Sequence, residues 1–554
     1  MSDLNEQQQP IERESPEVLG QSDIESFANQ TPVGANKAHQ KAKAKSRRKL
    51  TTWIATLAAV AVLGGAVAMF TFVLKPPAEP EKPDNEPEDT SVTLLDKTLK
   101  ADGTENKSPV KAIKVKSRLD EYAFKQNKDG VLHMEGEENL AMNNTAINAL
   151  VEELTFIEAV DTVATGLTDM TEYGFDNPTA TVEVTYSDDV TVKLELASLA
   201  VGSHYYLRVD GGDTVYLVNS VLPGEVMQTA EAFVGLSMIT APSVSPDDPN
   251  GSPVMKEMSL TGPVRDNVIT TVRRREAEDS EEFVNSAFLL TAPYLMATDA
   301  TVTTDMFAKT DMFASEVVAL HPSEEQLKEY GLDDPHSIAK IVLAVYTAET
   351  KADGTTGDAG YYNEMNHILK LGKQTEDGKS YYAMADAKDV VYLVSAEDVP
   401  WADKTYHDFA NQYLFLRNLN TLSSIACTLD GKTYDFKFEH FPEAENLDDQ
   451  LKVTVDGKQY YTDEFRILYQ VLMTLYRTGP APEPPSGDPL LTVRVTSLDE
   501  SFSVNEVKIY PYSGSVYIAQ TETGDTYKMT ASRVDDAMQQ IRNYLNEIPV
   551  VNRF

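Results

Sequence analysis

The stretch Tyr173-Gly174-Phe175-Asp176-Asn177-Pro178 decides the fold, because it returns 157 residues later as Tyr330-Gly331-Leu332-Asp333-Asp334-Pro335. An internal repeat of this kind indicates that one supersecondary unit is used more than once. We therefore expect the chain to contain tandem copies of a single module.

Each hexapeptide has the composition of a junction between a helix and a strand. The glycine is expected in the left-handed conformation just past a helix, and the next apolar residue folds back as the contact of that cap. The Asp-Asn-Pro or Asp-Asp-Pro segment then makes a turn, although its acidic residues could alternatively form a ligand site. The residues assigned to this repeated structural junction are Tyr173, Gly174, Phe175, Asp176, Pro178, Tyr330, Gly331, Leu332, Asp333 and Pro335.

The residues after the junctions extend the repeat. The pair Tyr205-Tyr206 returns as Tyr381-Tyr382, and Val215-Tyr216-Leu217-Val218 returns as Val391-Tyr392-Leu393-Val394, both at an offset of 176. The larger offset requires an insertion in the second copy, and the polar stretch from Glu349 to Gly360 supplies most of it.

A third copy is indicated near the C-terminus. The segment from Gly202 to Thr214 aligns without gaps on the segment from Gly514 to Thr526, and the two share Gly, Ser, Tyr, Gly, Asp and Thr. The Tyr-Gly junction is missing from this copy, where a Pro-rich stretch from Gly479 to Pro485 stands instead. Whether this segment is a true third repeat stays open at the level of sequence.

The order of an amphipathic helix, a Tyr-Gly-Leu/Phe-Asp-x-Pro junction, a strand pair, a Tyr-Tyr strand and a Val-Tyr-Leu-Val strand resembles the bacterial domain of unknown function 4340. The resemblance covers roughly residues 93 to 420. It implies a membrane-anchored extracytoplasmic module, often found with ABC-type export or gliding-motility components. It implies no catalytic residues.

Charge and hydropathy predict a membrane anchor near the N-terminus. An uncharged apolar run from Trp53 to Leu74 follows seven basic residues between Lys37 and Lys49, and it is long enough to cross a bilayer. The first 50 residues carry a net charge of +1, so a charge of -40 falls on the rest. Basic residues before the run favour a cytoplasmic N-terminus and an external bulk. A cleaved signal peptide is the alternative, since Ala66-Val67-Ala68 resembles a cleavage site.

The predicted fold class is α+β, with tandem modules of antiparallel β-meander sheets and packed helices after a single transmembrane helix. Strands in meanders with helices laid on them favour this class over a parallel-sheet nucleotide fold. The predicted segments are a disordered cytoplasmic tail with a basic juxtamembrane block (1–50), the transmembrane helix (51–74), a Pro/Glu-rich stalk (75–92), module 1 (93–240), module 2 (254–418) and a divergent module 3 (419–554).

Several local structures are predicted from shorter patterns. Helices are expected from Asn143 or Asn144, from Gly224 to Gly235, and from Thr462 with Gly479 past its end. Another helix is expected at the C-terminus. The sequences Asp430-Gly431 and Asp456-Gly457 predict tight hairpin turns.

The search for chemistry in the sequence gives no catalytic, cofactor-binding or metal-binding set. The fingerprints of dinucleotide-binding, P-loop, zinc-protease and α/β-hydrolase sites do not occur. The stretch from Asp247 to Gly251 has oxygen ligands for a weak calcium site but lacks a closing Glu, and a linker turn is the simpler interpretation. Cys427, the single cysteine, is expected to be a small core residue.

Tyrosine is the over-represented aromatic residue, with 26 copies against two Trp. Adjacent tyrosines on a strand place one ring inward and one outward. The outward rings of Tyr205, Tyr206, Tyr381 and Tyr382 form a possible contact surface, although packing in the core or on a solvated strand is the simpler interpretation.

These observations predict a single-pass protein of a bacterial cytoplasmic membrane whose external part binds or scaffolds envelope proteins without catalysis. ABC-type transporter subunits are the implied partners, and the strongly acidic surface argues against nucleic acid. The alternatives are an envelope sensor or a cell-wall enzyme that uses carboxylates. We expect no cofactor.

Overall fold

The computed structural model describes residues 90–199, 202–248, 250–284, 286–350, 356–415, 417–498 and 505–553. The segments predicted to be a cytoplasmic tail and a transmembrane helix, and nearly all of the segment predicted to be a stalk, lie outside these ranges. No helix within the described ranges is both long enough and apolar enough to span a bilayer. Thr90–Phe554 forms one compact unit.

The first module contains one large sheet and a small two-stranded one. Its strands are β1 Val92–Asp96, β2 Val110–Ser117, β3 Glu121–Gln126, β4 Leu132–Met134, β5 Phe156–Ala159, β6 Asp161–Ala164, β7 Ala180–Tyr186, β8 Thr191–Leu199, β9 Tyr205–Val209 and β10 Val215–Val218. The large sheet is antiparallel and has the order β4-β3-β2-β7-β8-β9-β10-β6, whereas β1 pairs with β5.

The second module follows a short connecting strand, β11 Ser237–Ile239. Its strands are β12 Ser252–Thr261, β13 Thr270–Arg274, β14 Phe288–Ala292, β15 Met296–Ala297, β16 Met312–Phe313, β17 Glu316–Leu320, β18 Ser337–Thr350, β19 Thr356–Gln374, β20 Ser380–Ala385 and β21 Val390–Ser395. The large sheet has the order β15-β14-β13-β12-β18-β19-β20-β21-β17, and β11 pairs with β16.

The third module completes the described chain. Its strands are β22 Leu422–Leu429, β23 Lys432–His440, β24 Leu451–Val455, β25 Lys458–Tyr460, β26 Arg477–Pro480, β27 Leu491–Ser497, β28 Glu506–Ser513, β29 Val516–Thr521 and β30 Thr526–Thr530. They form one sheet with the order β25-β24-β23-β22-β27-β28-β29-β30-β26.

The three large sheets share one strand order, except that the first meander has three strands in the first module and four in the other two. A first meander runs outward from a middle strand (β2, β12 or β22), a second meander runs outward on its other side, and an edge strand (β6, β17 or β26) closes beside the last strand. The predicted tandem repetition is thereby confirmed, and the third copy has the same topology despite its missing junction. The inserted residues lie in β18 and β19, which have 14 and 19 residues against 7 and 9 in β7 and β8.

Seven α-helices occur among the described residues, and the longer ones each lay an apolar stripe on a sheet. They are α1 Asn144–Thr155, α2 Val221–Val226, α3 Ala300–Phe307, α4 Glu324–Tyr330, α5 Tyr406–Phe409, α6 Thr462–Met473 and α7 Ala531–Leu545. Asn143, one of the two starts that the sequence left open, caps α1, and Ile147, Leu150 and Leu154 are buried. Cys427 is fully buried in the core of the third module, as predicted.

Both predicted Asp-Gly turns are confirmed, because Asp430, Gly431, Asp456 and Gly457 all have a positive φ. Such a turn matches the twist of the flanking strands.

Two helix predictions are wrong in their bounds. The helix expected from Gly224 to Gly235 is instead the short α2 followed by a 3-10 turn, Ala230–Phe233. Gly479 does not cap α6, which ends at Met473, but lies in β26. The physical reason is tertiary: the amide of Arg477 bonds the carbonyl of Gln412, and β26 pairs with β30.

The modules contact one another within the compact unit. Leu140 and Val234, which belong to the first module in sequence, are buried in the core of the second. Phe415, which the sequence assigned to the second module, is buried in the core of the third. Between the second and third modules, the Tyr406 hydroxyl donates to Asp525, and the Arg477 guanidinium donates to the carbonyl of Ala410.

Candidate functional site

The repeated junctions have the predicted backbone. Gly174 and Gly331 both adopt the left-handed conformation, with φ of 84° and 69°. The second junction ends α4, which begins with a capping box between Ser323 and Gln326, and the Leu332 amide closes the cap by donating to the carbonyl of Leu327 at 2.8 Å. The first junction follows only a 3-10 turn, Thr171–Tyr173.

The apolar residues of the two junctions pack in corresponding ways. Phe175 and Leu332 are buried, and each belongs to a small cluster that also contains a residue of the last meander strand, Val215 or Val391. The junction is thus fastened to the sheet on the side of its second meander.

Two of the four tyrosines proposed as a contact surface lie against these junctions, and the other two pack with the cores of their modules. The Tyr206 ring meets Tyr173 edge-on at a centroid distance of 5.1 Å, and the Tyr382 ring stacks on Tyr330 at 4.6 Å. Tyr205 is half-buried, whereas Tyr381 is only 3% exposed. A role of these rings in partner contact stays a prediction.

The second junction approaches β19 unusually closely. A Cβ atom on Gly372 would stand 2.2 Å from the carbonyl oxygen of Tyr330. The next residue, Lys373, donates from Nζ to the carbonyls of Lys328 and Glu329 at 3.0 and 2.9 Å. A cation at the C-terminal end of a helix is favourable because that end carries partial negative charge. Glycine and lysine therefore hold the end of α4 against the sheet.

An open cavity of ≈ 410 Å³, lined mainly by polar residues and here called the polar cavity, lies beside this second junction. Its lining residues are Pro263, Gly331, Asp334, His336, Gly372, Lys373, Gln374, Tyr381 and Asp403. The junction itself thus forms part of the wall.

Asp403 is the centre of the polar groups in this cavity. Nε2 of His336 lies 2.6 Å from Oδ1 of Asp403, and the Tyr381 hydroxyl donates to Oδ2 at 2.9 Å. Burial opposes ionisation of Asp403, but the hydrogen bonds from His336 and Tyr381 and the charge of Arg265 outweigh it and hold its pKa below the usual value. Burial, followed by the hydrogen bond to Asp403, raises the pKa of Tyr381 to about 12, so its hydroxyl remains a donor.

Arg265 supplies a positive charge beneath the cavity. It is 3% exposed and donates to Oγ of Ser337 and to the carbonyls of Trp401 and Ala402 at 2.8, 2.6 and 3.0 Å. Burial lowers its pKa to about 10, so the guanidinium stays charged at neutral pH. Arg265 also fixes the loop that carries Asp403.

The arrangement can bind and orient a polar ligand. An imidazole oriented by a carboxylate can give or take a proton at its other nitrogen, and Asp334 and Gln374 add acceptors and donors to the wall. Among the residues that the structure describes, no group of three or more His, Cys, Asp or Glu side chains could hold a metal ion.

Comparison with protein families accounts for much of the chain. The family model described as a domain of unknown function (DUF4340) matches residues 133–235 and 295–477, which is just over half of the sequence. The chain belongs to the DUF4340 family. The matched segments include both junctions and the polar cavity's His336, Tyr381 and Asp403. No curated protein and no solved structure matched.

The cavity of this DUF4340 chain uses a histidine that the first module does not share. At the same distance from the junction, Thr179 stands in the first module where His336 stands in the second. Sequence reasoning missed His336, Asp403 and Arg265 because it searched for residues that the copies share. A comparison of where the copies differ, starting with the histidine directly after Pro335, could have found the first of them.

Proposed function

We propose that this DUF4340 protein is anchored in a bacterial cytoplasmic membrane by residues 51–74 and that its external part binds or scaffolds envelope proteins without turnover. ABC-type export or gliding-type envelope complexes are the proposed partners. The uncharged run from Trp53 to Leu74 behind a basic block supports the anchor and its orientation.

The observation that carries the proposal is that one module is used three times and that its shared residues have packing roles. Gly174 and Gly331 form caps, and Phe175 and Leu332 fill corresponding apolar clusters. No His, Ser or Lys is repeated beside these shared residues, and repetition of a folded unit without a repeated nucleophile or base is the pattern of repeat proteins that present binding surfaces. The polar cavity of the second module uses residues that are not part of the repeat. We propose that a partner binds in this cavity.

The charge of the chain restricts the partner's chemistry. The net charge after the apolar run is -40, so the external part repels phosphate-rich polymers and attracts basic surfaces. We therefore propose that the partner presents basic or hydrogen-bonding groups to Asp334 and Asp403.

Membrane topology can be tested by adding protease to cells whose wall has been removed. We expect digestion of residues 75–554 and protection of the first 50 residues. Complete protection of the C-terminal part before membranes are permeabilised would contradict the proposed orientation.

Partner binding can be tested with a photo-crosslinking amino acid placed at His336 in the full-length protein in cells. The matched control places it at Tyr461, which is 69% exposed in the third module. We expect the crosslinker at position 336, but not at position 461, to form a defined adduct with a subunit of an export or envelope complex. A second variant that has the crosslinker at position 336 and also carries Asp334→Asn should lose this adduct. Equal labelling from both positions, or no adduct from position 336, would oppose the cavity as the binding site.

A further inference from the structure

His321 lies between two carboxylates that belong to different modules. Its Nε2 is 2.6 Å from Oε1 of Glu137, in the first module, and its Nδ1 is 3.1 Å from Oδ2 of Asp389, in the second. Glu137 is largely buried, with 13% of its side chain exposed. One imidazole therefore bridges the two modules.

The backbone of the second module places this ring. His321 directly follows β17 and has a φ of 52°, a left-handed conformation that is uncommon for residues other than Gly, Asn, Asp and His. Its amide donates to the carbonyl of Asp389 at 2.9 Å. The residue before it, Leu320, donates its amide to Oε1 of Glu231 in the first module at 3.4 Å. The end of β17 is thus tied to both modules.

The protonation state of His321 decides whether both side-chain bonds can form. Only the imidazolium carries a proton on each nitrogen, whereas the neutral ring can donate to one carboxylate and turns a lone pair towards the other. We propose that His321 is a pH-dependent latch between the first and second modules, closed by its protonation and released as the pH rises.

The surroundings of His321 favour the closed state. Further charged groups line the same groove or adjoin it, namely Lys114, Asp120, Glu121, Glu135, Glu231 and Lys388. The acids outnumber the bases, and Nζ of Lys388 is directed to the carbonyls of Ser237 and Met238. The hydrogen bonds to Asp389 and then to Glu137 raise the pKa of His321. The latch is therefore fully closed below the ordinary histidine pKa and is lost as the pH rises through the raised value.

Release of the latch removes hydrogen bonds at the edge of the contact between the first and second modules. The apolar centre of that contact stays in place. Leu140 and Val234 remain buried in the second core, and Leu320 packs on the first. Because 58% of the His321 side chain is exposed, solvent screens its ion pairs and the effect is modest. This inference does not depend on the proposed function.

Hydrogen exchange on the full-length protein tests the latch. The reporters are the Leu320 amide and the amides of Ala230–Phe233, followed from about pH 6 to about pH 8.5 and corrected for intrinsic exchange. We expect their exchange in the parent protein to accelerate by about two- to fivefold as the pH rises. His321→Asn keeps a residue that tolerates the left-handed conformation, and it should exchange rapidly at every pH. Glu137→Gln should also lose the pH dependence, because the neutral amide can accept a hydrogen bond from the ring or donate one to it in either protonation state.

His336→Asn is the matched control, because it removes a histidine–carboxylate pair that lies within the second module. It should retain the pH dependence of the parent protein. The latch is refuted if His321→Asn shows the same pH-dependent exchange as the parent, or if His336→Asn abolishes that dependence.

Discussion

Gly372 lies against the carbonyl oxygen of Tyr330, so that a Cβ atom at position 372 would stand 2.2 Å from that oxygen. The contact joins the end of α4 to β19 and forms part of the wall of the polar cavity. One glycine thus determines how closely the second junction approaches its sheet.

Gly372→Ala should destabilise the protein by about 1 to 3 kcal/mol, because either α4 or β19 must move to admit the methyl group. The measurement is denaturant unfolding. Gly514→Ala is the control, since a Cβ there meets no atom within 4 Å. Equal stability of the two variants would contradict the close approach seen here.

Gly174→Val should destabilise the first module by about 1 to 3 kcal/mol, because it forces a β-branched residue into the left-handed region. Asp176→Asn, which keeps the ability to form a turn, should melt like the parent. Thermal melting checks both. If Asp176→Asn melts normally but abolishes binding of the partner, the junction is a functional site and its structural assignment is wrong.

Glu195→Gln should destabilise the protein at neutral pH, because Glu195 is a nearly buried acid paired with Arg208 and Lys193. Burial raises the pKa of Glu195, but the hydrogen bonds from Lys193 and Arg208 outweigh it, and the pKa lies below the usual value. The carboxylate therefore stabilises the fold above its unfolded pKa, and this contribution is lost as the pH falls through the folded value.

The expected loss is about 1.5 to 3 kcal/mol at neutral pH, and it should shrink towards about pH 3. Unfolding curves of the parent and the variant across this range give the comparison. A difference that stays constant with pH would show that packing, rather than charge, makes Glu195 important.

Cys427 should be inert in the folded protein, because complete burial raises the pKa of its thiol to about 12. A maleimide reagent should label it at least about a hundredfold more slowly in buffer than in denaturant, since only the thiolate reacts. The chain has one cysteine, so the labelling is unambiguous. Rapid labelling without denaturant would place Cys427 outside the core.

Much of the fold could be read from the sequence where the decisive contacts are local. The left-handed glycines at 174 and 331 and the cap at Asn143 depend on residues within a few positions of one another. The glycines were predicted, and the cap was predicted at Asn143 or Asn144. The end of α6 was not predicted correctly, because it depends on the pairing of β26 with β30, which joins segments about fifty residues apart.

The sequence by itself determined that one α+β module recurs, because repeated caps, turns and alternating strands express short-range interactions that leave a visible pattern. Only the tertiary structure decided which polar groups meet. His336 reaches Asp403 across 67 residues, and His321 reaches Glu137 across 184. Such pairs depend on strand register, on the approach of one module to the next and on a loop fixed by a buried arginine. None of these leaves a periodic trace in the chain.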